Sequence, residues 1–95
     1  MLRHIVMHRY KDTASADDLV ALKAAVESFS EHPLVRSLTC GTNVGKGPNH
    51  FDFVMVADFD DADALGDYIQ SDMHKTYVCE HAKHVATLSV IQHEL

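Results

Sequence analysis

The chain opens on an alternation of positions. Between residues 2 and 10, His4, Val6, His8 and Tyr10 fall on one side and Arg3, Ile5, Met7 and Arg9 on the other, the two-residue period of a β-strand. Neither side is wholly polar, which predicts a sheet covered on both faces, by helices on one and by something else, such as a second subunit, on the other. After a polar turn at residues 11–14, Ser15 and Asp18 have capping-box spacing, and a helix is expected from there to about residue 30. Its apolar positions Leu19, Leu22, Val26 and Phe29 recur at helical intervals, leaving Lys23 and Glu27 as an exposed pair of opposite charge. Pro33 stops it. Residues 34–44 read as a strand, the cluster Gly45, Gly47, Pro48, Asn49 as a turn, and residues 51–59 as the second arm of a hairpin with Phe51, Phe53, Met55, Ala57 and Phe59 on one face. Asp60, Asp61 and Asp63 open a second helix through Gln70, placed favourably against its dipole. A break is expected at residues 71–73, a continuing helix at 74–84 and a fourth strand at 86–93. The order β-α-β-β-α-β, with the last helix split, predicts an α+β fold of ferredoxin-like layout around a four-stranded antiparallel sheet.

Composition narrows the partners. At 95 residues one domain is expected, with a core marginal enough that dimerisation would help it. Hydrophobic residues make up 46% and charged ones 23%, and no apolar run approaches the roughly 20 residues that span a bilayer. Arg3, His4, His8 and Arg9 interrupt the apolar positions a secretory signal would need, so a cytoplasmic location is expected. There, Cys40 and Cys79 would stay free thiols. A net charge of −6 without a Lys/Arg cluster argues against nucleic acid and anionic membrane as partners. Phe51, Phe53 and Phe59 read as core, because no basic residues interleave with them as a base-stacking platform would need. Phosphate-binding, dinucleotide-binding and nucleophile-elbow motifs are absent, and no cofactor is expected.

The unusual feature is eight histidines, whose charge changes most around pH 6 to 7. His4 and His8 lie four residues apart on one strand, about 13 Å at ~3.3 Å per residue, too far to share a metal ion. His81 and His84 are one helical turn apart, but with Glu80 they still lack the ligands of a zinc site. No metal is expected, and this pair reads as surface histidines on a solvated helix face. His74 differs in starting a helix just after the break and close to Tyr68. The helix N-terminus favours its neutral form, which suits a general base; the competing reading is a half-buried structural histidine.

Three motifs in this order carry a resemblance. Arg3-His4-Ile5-Val6 near the start, Phe59-Asp60-Asp61 at the junction of a strand with an acidic helix, and Asp67-Tyr68 followed by His74 resemble the stress-responsive A/B barrel domain (Dabb) family from Arg3 to His93. The resemblance implies a dimeric α+β barrel. It also implies candidate catalytic residues, since one plant member is a polyketide cyclase whose site uses a first-strand histidine and the tyrosine and histidine of the third motif. His4, Tyr68 and His74 match those positions. His74 would take a proton from an activated C–H of a carbonyl compound, Tyr68 would hold the substrate oxygen or the histidine, and His4 would donate a hydrogen bond. Val6, His8 and Tyr10 from the strand and Leu22 and Val26 from the first helix would contact a small, partly apolar substrate. The plant motif H-P-A-H is replaced by Ser71-Asp72-Met73-His74, and a nearby Asp72 would raise the His74 pKa.

A shared pocket requires the His4 face of the strand to lie under the helices, so that Ile5 and Met7 form an outward patch for a homodimer packed sheet to sheet. The function expected is a cofactor-free, cyclase-like proton transfer, with cofactor-free monooxygenation as a variant hosted by the same barrel. The alternative is a non-catalytic, stress-related ligand-binding or structural dimer, the outcome if Val6, Tyr10, Leu22 and Phe29 fill the pocket.

Overall fold

The computed structural model describes all 95 residues. The alternating first segment becomes β1 (Leu2–Tyr10), flanked on both sides by antiparallel neighbours, β3 (Phe53–Phe59) and β4 (Val85–Glu94), with β2 (Ser37–Thr42) beyond β3. Three helices connect them: α1 (Ala16–Ser28), extended by a 3₁₀ turn at Phe29–Glu31, then α2 (Ala62–Ile69) and α3 (Asp72–His81), which runs into a second 3₁₀ turn at Ala82–His84. The layout is the ferredoxin-like β-α-β-β-α-β order with its last helix split. No helix is long and apolar enough to cross a membrane.

Local chemistry explains the boundaries. Ser15 and Asp18 form the reciprocal capping box, with Ser15 Oγ accepting the Asp18 N–H at 3.1 Å and Asp18 Oδ2 accepting the Ser15 N–H at 2.9 Å. Asp61 Oδ1 caps α2 by accepting the Ala64 N–H at 2.8 Å. The helix break lies at Gln70 and Ser71, slightly earlier than the residues 71–73 expected, because Ser71 serves both helices. Its Oγ and its N–H donate to Tyr68 O at 2.6 and 3.1 Å, closing α2, while the same Oγ accepts the His74 N–H at 3.4 Å, opening α3. His74 is therefore the third residue of α3 and not its first. The strand expected at 34–44 is trimmed to Ser37–Thr42, since residues 32–35 turn through a Val35 N–H to His32 O bond. In the β2–β3 connection Gly47 has φ +134°, a conformation other residues rarely adopt.

Register divides the sheet into two unlike faces. His4 sits between Ala57 and Gln92, Val6 between Met55 and Val90, and His8 between Phe53 and Leu88. That face meets the helices through a core that includes Leu22, Val26, Phe29, Leu65 and Tyr68, with Phe53, Met55, Ala57 and Phe59 from β3. The opposite face carries Ile5 and Met7 beside Val54, Val56 and Ile91, and no helix packs on it. At its end Arg3 grips the buried Asp58 with two hydrogen bonds of 2.8 and 3.0 Å, and Ser37 Oγ donates to the same carboxylate at 2.9 Å. The Arg3 bonds, more than any other influence, hold the Asp58 carboxyl below its ordinary pKa despite its burial. Cys40 and Cys79 are free thiols.

Candidate active site

Between the sheet and the helices lies a cavity of about 460 Å³, within the range typical of small-molecule sites. Sixteen residues line it, thirteen of them hydrophobic; the other three are His4, His8 and His74. Tyr68 and Tyr77 are part of the wall, as are Val6, Val26, Phe29 and Met55. The apolar mouth involves Ile69 and Val78 from the helices and Leu88 and Val90 from β4, all of them exposed.

His4 is buried on β1, its ring edge-on to Phe59 at 6.3 Å between centroids. Its Nδ1 lies 2.8 Å from Gln92 Oε1 across the β1–β4 pair. An amide oxygen only accepts, so Nδ1 carries the proton and neutral His4 keeps a lone pair on Nε2. The expectation that His4 donates towards a substrate is therefore corrected: its donor is spent on Gln92, and it offers an acceptor. Burial lowers its pKa, partly offset by Gln92.

Tyr68 reaches the site from the last turn of α2. Its ring is fixed by four aromatic neighbours, Phe59 at 4.9 Å, His74 at 5.2 Å, and Phe29 and His32 each at 5.3 Å between centroids. Burial, with a smaller contribution from Tyr77, raises its pKa and keeps the hydroxyl protonated. His74 stacks on Phe29 at 5.9 Å. Burial lowers its pKa first and the facing His4 second, and the start of α3 disfavours its cation in the same sense. The rise expected from Asp72 is not found. Tyr77, one turn further along α3, has its pKa pushed up to about 12 by burial and by Tyr10.

His4, Tyr68 and His74 thus come together on one cavity, and Val6, His8 and Val26 line it as well. Leu22 and Tyr10 do not: Leu22 is wholly enclosed in the core, and Tyr10 packs beside His8 and Phe53. The cavity is not filled by the four residues that could have closed it: Val6 and Phe29 form part of its wall, and Leu22 and Tyr10 do not line it. His81 and His84 are corrected from surface positions, since their side chains are only 15% and 17% exposed, His81 against Tyr77 and His84 Nδ1 3.7 Å from Asp18. Gln92 and Tyr77 belong to the site without being among the residues expected there. Gln92 had a signal, a polar residue in register with Leu88 and Val90 on the apolar side of β4, and Tyr77 follows His74 by three residues on one helix face.

Two buried histidines, His4 and His8, and the half-buried His74, all held neutral, make the fold acid-sensitive. The unfolded chain takes up these protons near the ordinary histidine value of about 6.5, whereas the folded chain does so only at lower pH. Stability is therefore full above about pH 6.5 and declines as the pH falls towards the folded values, by up to about 1.4 kcal/mol per pH unit for each of the buried His4 and His8 and by less for the half-exposed, solvent-screened His74. Urea unfolding at pH 7.5 and 5.5 measures this, with a lower midpoint expected at 5.5 and a shallower decline for His8→Leu. Equal midpoints for the wild type would contradict it.

Known proteins agree with this architecture. A family model for the stress responsive A/B barrel domain matches residues 2–94. An uncharacterized protein from Streptomyces coelicolor is 32% identical over 82 residues, covering 82% of this chain and 84% of its own. Among solved structures, a dimeric ferredoxin-like protein of unknown function from Thermobifida fusca superposes with a TM-score of 0.89 at 25% identity, over 99% of this chain and 90% of its own. A hydroxynitrile lyase from Passiflora edulis gives 0.88 at 18% identity, over 99% and 92%. Matched from its first strand to its last, the chain belongs to the stress responsive A/B barrel domain family.

Proposed function

We propose that the cavity binds a small, mostly apolar carbonyl compound and moves a proton at an activated C–H beside the carbonyl, without a cofactor. The observation that carries this reading is the convergence of His4, Tyr68 and His74 on an open cavity whose other walls are almost entirely apolar. His74 is neutral and so able to take the proton. The electron pair left on carbon moves to the carbonyl oxygen, and the protonated Tyr68 hydroxyl is the donor available to that oxygen as it becomes an enolate. His4 Nε2, left as an acceptor by the Gln92 bond, accepts a hydrogen bond from a hydroxyl group of the same ligand without taking its proton. The His74 proton then returns to carbon. The apolar walls keep water from competing for these groups.

Binding is tested with an aryl alkyl ketone followed by NMR. Shifts confined to His4, Tyr68, His74 and their neighbours are expected, and shifts elsewhere or none would overturn the reading.

The same reading includes a homodimer formed through the open sheet face, in the cytoplasm. Ile5, Met7, Val54, Val56 and Ile91 make a continuous apolar surface there, and the Thermobifida fusca relative is described as dimeric. Ile91 is 59% exposed in the single chain, so Ile91→Asp should leave the fold intact while removing self-association. Sedimentation velocity should show a dimer for the wild type and a monomer for the variant; a monomeric wild type or an unchanged dimer in the variant contradicts this.

A further inference from the structure

Of the three histidines that line the cavity, His8 is the one this chemistry leaves unused. It is 5% exposed, lines the cavity, and stacks on Phe53 with ring centroids 5.6 Å apart and planes 22° apart. Its Nδ1 is fully enclosed and has no hydrogen-bond partner. A buried N–H without an acceptor is rarer than an under-used acceptor, and burial keeps the ring neutral, so the proton belongs on Nε2. That nitrogen is neither enclosed nor bonded within the chain, and it is the polar atom His8 can turn to the cavity. His4 has the opposite arrangement, with its proton on Nδ1 towards Gln92 and a bare Nε2. One strand face therefore presents an acceptor at His4 and a donor at His8, about 13 Å apart along the backbone at ~3.3 Å per residue. Val6 lies between them, and Val90 and Leu88 run alongside on β4.

We infer that the ligand is an elongated, mainly apolar molecule with a second neutral oxygen acceptor, such as a ketone or amide carbonyl, at the end remote from the reacting carbon, and that His8 Nε2–H binds it. The inference rests on the carbonyl reading of the site and adds the length and far-end chemistry of its substrate. An apolar end group packed against His8 would cover its donor without offering it a partner, and the loss would appear as selectivity against such ligands. A carboxylate end is disfavoured by the apolar wall, which offers no cation to pair with it.

Two probes test this, 6-phenylhexan-2-one and the same ketone carrying a para-acetyl group. The wild type should bind the acetylated ketone roughly three- to tenfold more tightly than the plain one, the range of one net hydrogen bond. His8→Leu should abolish or reverse that preference while still binding the plain ketone. Long-range proton–nitrogen NMR on the ligand-free protein should show the Nε2–H form for His8 and the Nδ1–H form for His4. Binding of both ketones with no preference, a preference that survives His8→Leu, or a His8 proton on Nδ1 each overturns the role of His8 and leaves the carbonyl reading standing. Failure of both ketones to bind overturns the carbonyl reading, and this inference with it.

Discussion

Replacing Tyr68 with alanine is expected to destabilise the protein by about 3–5 kcal/mol, the usual cost of deleting a buried aromatic ring. Tyr68 is 1% exposed and sits among Phe29, Phe59, His32 and His74, so the neighbours most able to collapse into the gap include the site's own histidine. Small domains have only about 5–15 kcal/mol of stability to lose, and a core of eleven buried hydrophobic residues puts this chain at the low end. Urea unfolding at pH 7.5 should show Tyr68→Ala largely unfolded or with a much lower midpoint. Tyr68→Phe keeps the ring and removes only the hydroxyl; it should fold normally and lose activity, which separates the packing role from the chemical one. A fully stable Tyr68→Ala would mean that the α2–α3 junction does not depend on this ring.

The second large effect is on chemistry. His74→Gln should reduce proton transfer by about 10²- to 10⁴-fold, the range for loss of a general base. The fold should survive, because the His74 backbone N–H, not its side chain, makes the capping bond to Ser71, and the ring is only half-buried. His74→Ala, which also removes the stacking on Phe29, should weaken ligand binding in addition while leaving any dimer intact. An unfolded or monomeric His74→Ala would identify the residue as structural.

Much of this arrangement could be read from the residues because it follows from short-range rules. The alternation through β1 and the turn chemistry at residues 43–50 are local, as is the Ser15–Asp18 cap, and they fix the order of elements. The demand that His4 share a pocket with His74 correctly forced Ile5 and Met7 onto the other face, since a strand offers only two sides. What escaped the sequence depends on partners distant along the chain. Gln92 sets the tautomer of His4 from 88 positions away, so the role of His4 as donor or acceptor could not be read from its own neighbours. Leu22 and Val26 are equivalent by helical period. Both are buried, yet only Val26 lines the cavity, a difference that one helical turn of displacement along α1 makes and the period alone does not show. His84 looks solvated on a helical wheel, yet it sits in the 3₁₀ turn after α3, 3.7 Å from Asp18 of α1, whereas His81 is covered locally by Tyr77 one turn earlier on α3.

On the proposed reading, His74 removes a proton from carbon in this cavity. The most direct test of this is proton NMR of an aryl alkyl ketone in deuterium oxide at neutral pH, following loss of the signal from the hydrogens beside the carbonyl. The wild type should accelerate their exchange well above the buffer rate, and His74→Gln should return it close to that rate while still binding the ketone. Exchange no faster than in buffer, or equally fast with His74→Gln, would show that the cavity binds without carrying out this chemistry at His74.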